Sequence, residues 1–125
     1  MIGYVTLGTN DIKRATTFYD ALLGELGAKQ LMSDERFIAW GTGQDEPMVS
    51  VIKPFDEGEA TVGNGTMIAL GVENPGQVDA LYAKAIELGA KDEGKPGMRG
   101  DTFYAAYFRD LDGNKLNFFC MVGQQ

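Results

Sequence analysis

The sequence predicts an α+β fold of two tandem βαβββ units, whose strands form a curved mixed sheet around a cleft. Three observations predict it. First, the chain repeats itself: Tyr4-Val5-Thr6-Leu7-Gly8 matches Met67-Ile68-Ala69-Leu70-Gly71 at an offset of 63. Phe18-Tyr19 matches Leu81-Tyr82 at the same offset, and Leu26-Gly27-Ala28-Lys29 matches Leu88-Gly89-Ala90-Lys91 one residue sooner. Second, each copy passes from period-two alternation to helical spacing. Third, 125 residues with 44% hydrophobic and 23% charged side chains suit one globular domain with its own core.

The first strand is expected over residues 2–8, with Val5 and Leu7 on one face and Tyr4, Thr6 and Gly8 on the other. A helix follows. Asn10 or Asp11 can cap it, because a short side-chain oxygen accepts an unpaired N–H of the first turn. Ile12, Ala15, Phe18, Tyr19, Leu22, Leu23 and Leu26 recur at helical spacing, and Gly27 suits the left-handed residue beyond a helix end. Strands are expected near 28–33, 36–41 and 48–54. The polar, glycine-rich segment 55–65 reads as a linker between unit one (1–54) and unit two (66–122).

Unit two starts with a strand over 66–72. Asn74 caps its helix, and Pro75 takes the first helical position, where no N–H is missed. Val78, Leu81, Tyr82, Ala85 and Leu88 form the buried stripe, and Gly89 ends it. Strands are expected near 90–93, 103–109 and 115–122. Segment 94–101 reads as a mobile loop. Asp110-Leu111-Asp112-Gly113-Asn114 joins the last two strands as a hairpin, Gly113 supplying a positive φ.

Composition removes several functions. Eighteen acidic and eleven basic residues give a formal charge of −7, with no basic cluster, so a nucleic-acid partner is not expected. There is no histidine, which removes imidazole bases, imidazole metal ligands and Ser-His or Cys-His nucleophiles. The single cysteine, Cys120, cannot form an intrachain disulfide and is expected to pack towards the helix. The start lacks a secretory pattern, and no run reaches the ~18 apolar residues that span a bilayer. A cytoplasmic protein without a membrane partner is the expectation.

The segments IGYVTLGTNDIKRATTFYDALLGELG, GNGTMIALGVENPGQVDALYAKAIELGAK and FYAAYFRDLDGNKLNFFC together resemble the vicinal oxygen chelate superfamily. That superfamily includes glyoxalase I, bleomycin-resistance proteins and extradiol dioxygenases. The resemblance covers nearly the whole chain and implies the glyoxalase-like fold. It also implies divalent-metal ligands at three inward-facing positions: a His where this sequence has Tyr4, a His where it has Met67, and a Glu where it has Asn117. A phenol, a thioether and an amide are poor ligands for Zn, Fe, Ni or Mn. No cofactor is therefore expected, and a degenerate metal site with a surviving cleft is.

The candidate cleft residues are Tyr4, Met67 and Asn117, with Trp40, Tyr104 and Phe119 nearby and Arg99 reaching in from a loop. Such a lining suits a planar or partly apolar small molecule. Each residue also has a plainer role: Tyr4 as packed aromatic, Met67 as core filler, Asn117 as a buried hydrogen-bonding amide, Arg99 as a solvated loop cation. Asp110, Asp112 and Asn114 have calcium-like spacing but lack the distal Glu, which favours a structural turn. The Gly-x-Gly runs at 41–43 and 63–65 lack a following helix and read as turns. Asp45 and Glu46 read as solvated.

The leading expectation is metal-free binding of a small molecule, with the catalytic residues unknown. One alternative is a glyoxalase-type lyase or isomerase, or a dioxygenase, holding a divalent metal through an unusual ligand set. Another is a structural or interaction module. The resemblance and the open sheet edges both suggest a homodimer.

Overall fold

The computed structural model describes residues 1–123. The chain divides into two compact units, Met1–Val62 and Gly63–Gln125. Each holds one mixed four-stranded sheet and one helix. In unit one, β1 (Tyr4–Gly8), α1 (Ile12–Gly24), β2 (Lys29–Ser33), β3 (Phe37–Gly41) and β4 (Met48–Ile52) give the sheet order β1-β4-β3-β2. Unit two repeats this with β5 (Ile68–Gly71), α2 (Pro75–Glu87), β6 (Lys91–Met98), β7 (Phe103–Arg109) and β8 (Lys115–Met121), ordered β5-β8-β7-β6. The first strand of each unit pairs in parallel with the last, and the other pairs are antiparallel.

Both helices start as their caps dictate. Asp11, not Asn10, caps α1: its carboxylate accepts the Arg14 N–H at 3.0 Å. Asn10 instead holds the middle of the expected linker, accepting the Ala60 N–H at 2.6 Å. Asn74 caps α2 through the Gln77 N–H at 2.9 Å, while the Gln77 side chain accepts the Glu73 N–H at 2.7 Å. Gly27 and Gly89 take φ of 79° and 106° just past the helices, where a side chain would be strained.

Each sheet buries one face under its helix. Ala15, Phe18, Tyr19, Leu22 and Leu23 of α1 are buried with Leu7, Ile38, Trp40 and Val51 of the sheet. Val78, Leu81 and Ala85 of α2 are buried with Phe108, Leu116, Phe118 and Cys120. Each fully buried Leu or Phe contributes about 1.5–3 kcal/mol of transfer free energy. Cys120 lies opposite Tyr104 in the β7–β8 register, on the helix side as expected.

One segment departs from expectation. Residues 94–98, expected as loop, belong to β6, which pairs with β7 through register shifts around Gly94 and Gly97. Glycine and proline disfavour a strand locally, yet the long β7 offers a ladder that β6 follows by bulging.

Two tyrosines clamp α2 and the sheet. The Tyr104 hydroxyl donates to Asp79 at 2.6 Å, and the Tyr82 hydroxyl donates to Asp92 at 2.8 Å. The Asp79 bond pushes the Tyr104 phenol above the ordinary tyrosine range. Desolvation, then the Asp92 bond, does the same to Tyr82. A raised folded-state pKa means stability that is present below about pH 10 and lost as pH rises through the folded value. The melting temperature is therefore expected to fall on the alkaline side, and a Tyr82→Phe/Tyr104→Phe double variant to show a flatter decline. An equal slope in both proteins would refute the assignment.

Candidate functional site

The sheet faces that no helix covers carry the candidate chemistry; on them Ala39, Ser50, Ala105 and Asn117 are nonetheless buried. In unit one that face holds Tyr4, Thr6, Ser50, Ile52, Phe37 and Ala39, because directly paired residues share a side. Tyr4 is 56% exposed and meets Phe37 edge-on at 5.8 Å between ring centroids. Tyr4, Thr6, Phe37 and Ile52, with Met32, Asp34, Glu35 and Arg36, line an open concavity of about 580 Å³. Ser50 is buried and its hydroxyl donates to the Val5 carbonyl at 2.5 Å.

In unit two the uncovered face holds Ala69, Gly71, Asn117, Phe119, Phe103, Ala105 and Tyr107. Asn117 pairs with Ala69 on one side and Tyr107 on the other. It is 1% exposed, and its Oδ1 has no hydrogen-bond partner. A buried acceptor left unpaired costs about 1–3 kcal/mol, so such an atom calls for an explanation. Phe119 stacks on Phe103 at 5.3 Å and 20°. Two cations flank Tyr107: the Arg99 guanidinium carbon lies 5.5 Å and the Lys115 ammonium 5.4 Å from the ring centroid. Arg99 also donates to the carbonyls of Gly97 at 2.9 Å and Lys95 at 2.7 Å.

The sequence candidates thus separate. Asn117, Phe119 and Arg99 gather on the uncovered face of unit two, and exposed Met67 immediately precedes β5 of the same sheet. Tyr4 belongs to the uncovered face of unit one. Trp40 and Tyr104 are corrected to the helix sides. Trp40 is 1% exposed, packs on Tyr19 of α1 at 5.5 Å, and donates its indole N–H to Asp20 at 2.8 Å. Tyr104 is drawn to α2 by Asp79. Arg99 is no free loop cation, since β6 and Tyr107 hold it. Sequence reasoning missed Tyr107 and Lys115. The alternation of Phe103, Ala105 and Tyr107 could have found the former, because it sets Tyr107 across from Asn117.

The comparisons with known proteins agree with this architecture. The family model of the Glyoxalase/Bleomycin resistance protein/Dioxygenase superfamily matches residues 1–118. The chain belongs to that superfamily. A glyoxalase/bleomycin resistance protein from Albidiferax ferrireducens is 33% identical, with a TM-score of 0.87 over 96% of this chain and 98% of that one. A hypothetical protein from S. aureus is 28% identical, with a TM-score of 0.75 over 96% of this chain and 92% of that one. TioX from Micromonospora shares the fold at 19% identity and a TM-score of 0.71, over 98% of this chain and 99% of its own. No curated protein matches the chain.

The superfamily implies a divalent metal, and the residues present do not fit one. The resemblance in sequence expects the ligands where this chain has Tyr4, Met67 and Asn117. No group of three or more His, Cys, Asp or Glu among the described residues could hold a metal ion. Amide and thioether oxygen or sulfur bring no charge to offset the ion's lost hydration. The Asp110 turn is not a cation site either. Its carboxylate already accepts the N–H groups of Asp112 and Asn114, each at 2.9 Å.

Proposed function

We propose that this superfamily member binds a small, planar, partly apolar molecule without a metal. One observation carries the reading: the buried Asn117 presents an unpaired acceptor on an aromatic sheet face, at the position where a metal-binding carboxylate is expected. An amide there trades metal affinity for neutral hydrogen bonding. The aromatic rings beside it supply stacking area. A lyase, isomerase or dioxygenase reading would instead require a metal held by a ligand cluster, and none of three or more His, Cys, Asp or Glu occurs among the described residues.

The test is metal content by elemental analysis. Untagged protein is exposed to Zn, Ni, Mn and Fe(II), then desalted exhaustively. The expected result is metal far below one equivalent, with a melting temperature unchanged by chelator. Near-stoichiometric metal would sink the reading and direct attention to glyoxalase and dioxygenase assays. Aromatic small molecules are expected to raise the melting temperature of the same metal-free protein.

A further inference from the structure

We infer that the uncovered face of unit two is a site for a planar aromatic acid that also carries an O–H or N–H donor. The inference rests on the metal-free reading above and names the ligand class. Asn117 Oδ1 can only accept, so its complement in a ligand is a donor. Its place directly opposite Tyr107 puts the amide on the same side of the sheet as that ring.

The same ring sets the charge. Arg99 and Lys115 both lie over Tyr107, on a chain whose formal charge is −7. The Arg99 hydrogen bonds go to backbone carbonyls, which orient the guanidinium without cancelling its charge. The glycines of β6 make room for it. A Cβ at Gly94 would lie 3.1 Å from both Arg99 Nη2 and Tyr107 Cδ1, and one at Gly97 would lie 3.2 Å from Arg99 Nη1. A positioned guanidinium is matched to a carboxylate. The stacked Phe103 and Phe119 rings supply a flat apolar wall for the ligand ring.

The probe is 4-hydroxybenzoate, compared with benzoate, which lacks the donor, and phenol, which lacks the charge. Binding is followed by NMR titration of the metal-free full chain. The hydroxy acid is expected to bind about tenfold tighter than either partial analogue, each matched group contributing on the order of 1.4 kcal/mol. Resonances of Tyr107, Asn117 and Phe119 should shift. Arg99→Gln should weaken both acids and leave phenol unchanged. Asn117→Leu should erase the advantage of 4-hydroxybenzoate over benzoate, its fold being checked by melting temperature. Equal affinity for all three probes, or acids bound away from unit two, would overturn the inference and leave the small-molecule reading standing. Failure of every aromatic probe to bind would overturn that reading itself. An Asn117→Leu variant that is more stable and binds the hydroxy acid as well as the parent would make the amide structural, and the inference would fall.

Discussion

Replacing Trp40 with alanine is expected to destabilise the chain by about 3–5 kcal/mol. The indole is among the largest fully buried side chains, at 1% exposure. It packs against Tyr19 and sits on β3 between Ala39 and Gly41. Alanine would remove that apolar area and leave a cavity that the surrounding sheet and helix can fill only in part. It would also remove the donor that Asp20 accepts at 2.8 Å, although Asp20 still accepts from Gln30 at 2.9 Å. Trp40→Phe separates the two effects. Phenylalanine keeps most of the buried ring and loses the hydrogen bond with a smaller part of the packing, so a loss nearer 1–2 kcal/mol is expected. Urea unfolding followed by far-ultraviolet circular dichroism measures both. Tryptophan fluorescence cannot, because Trp40 is the sole tryptophan. A loss below about 1 kcal/mol for the alanine variant would contradict the burial described here.

Trp40 also shows why a fold can be read from sequence more readily than a site. The repeat that pairs Tyr4 with Met67, and the helical stripes beginning at Ile12 and Val78, are local and periodic. They place the strands and helices close to where they occur. The side taken by Trp40 is not local. The run Phe37-Ile38-Ala39-Trp40-Gly41 is apolar at nearly every position, so alternation cannot distinguish its faces. Pairing of Trp40 with Val49, and of Ile38 with Val51, decides it. Tyr104 was equally ambiguous until Asp79 of α2 claimed its hydroxyl. Lys95-Pro96-Gly97 carries every local mark of a loop, and only its long-range partner β7 draws it into a strand. Asn117 was legible because an amide between Leu116 and Phe118 interrupts an otherwise apolar strand. The Arg99–Tyr107–Lys115 grouping was not legible, since the three residues lie eight apart on successive segments and only the pairing of β6, β7 and β8 brings them together.

Asp110→Ala is expected to cost about 2–4 kcal/mol, by removing charge-assisted hydrogen bonds inside a turn. Asp110 is only 6% exposed. One carboxylate oxygen accepts the N–H groups of Asp112 and Asn114, and the other accepts the Asn114 side-chain amide at 3.1 Å. The backbone closes the same turn, with the Asp110 N–H donating to the Asn114 carbonyl at 2.8 Å. Gly113 completes it at a φ of 91°. Asp110→Asn should cost about half as much, because one acceptor oxygen survives while the new amide group faces the Asn114 amide. The consequence reaches the candidate site. The turn joins the Arg109–Lys115 pair that ends the β7–β8 ladder, and two residues along that ladder Tyr107 faces Asn117. Loosening the turn should therefore weaken 4-hydroxybenzoate binding in step with hydrogen-exchange protection of the Tyr107 and Asn117 amides. Loss of stability with full protection and unchanged binding would show that the ladder holds its register without the turn, and that Asp110 contributes to the fold alone.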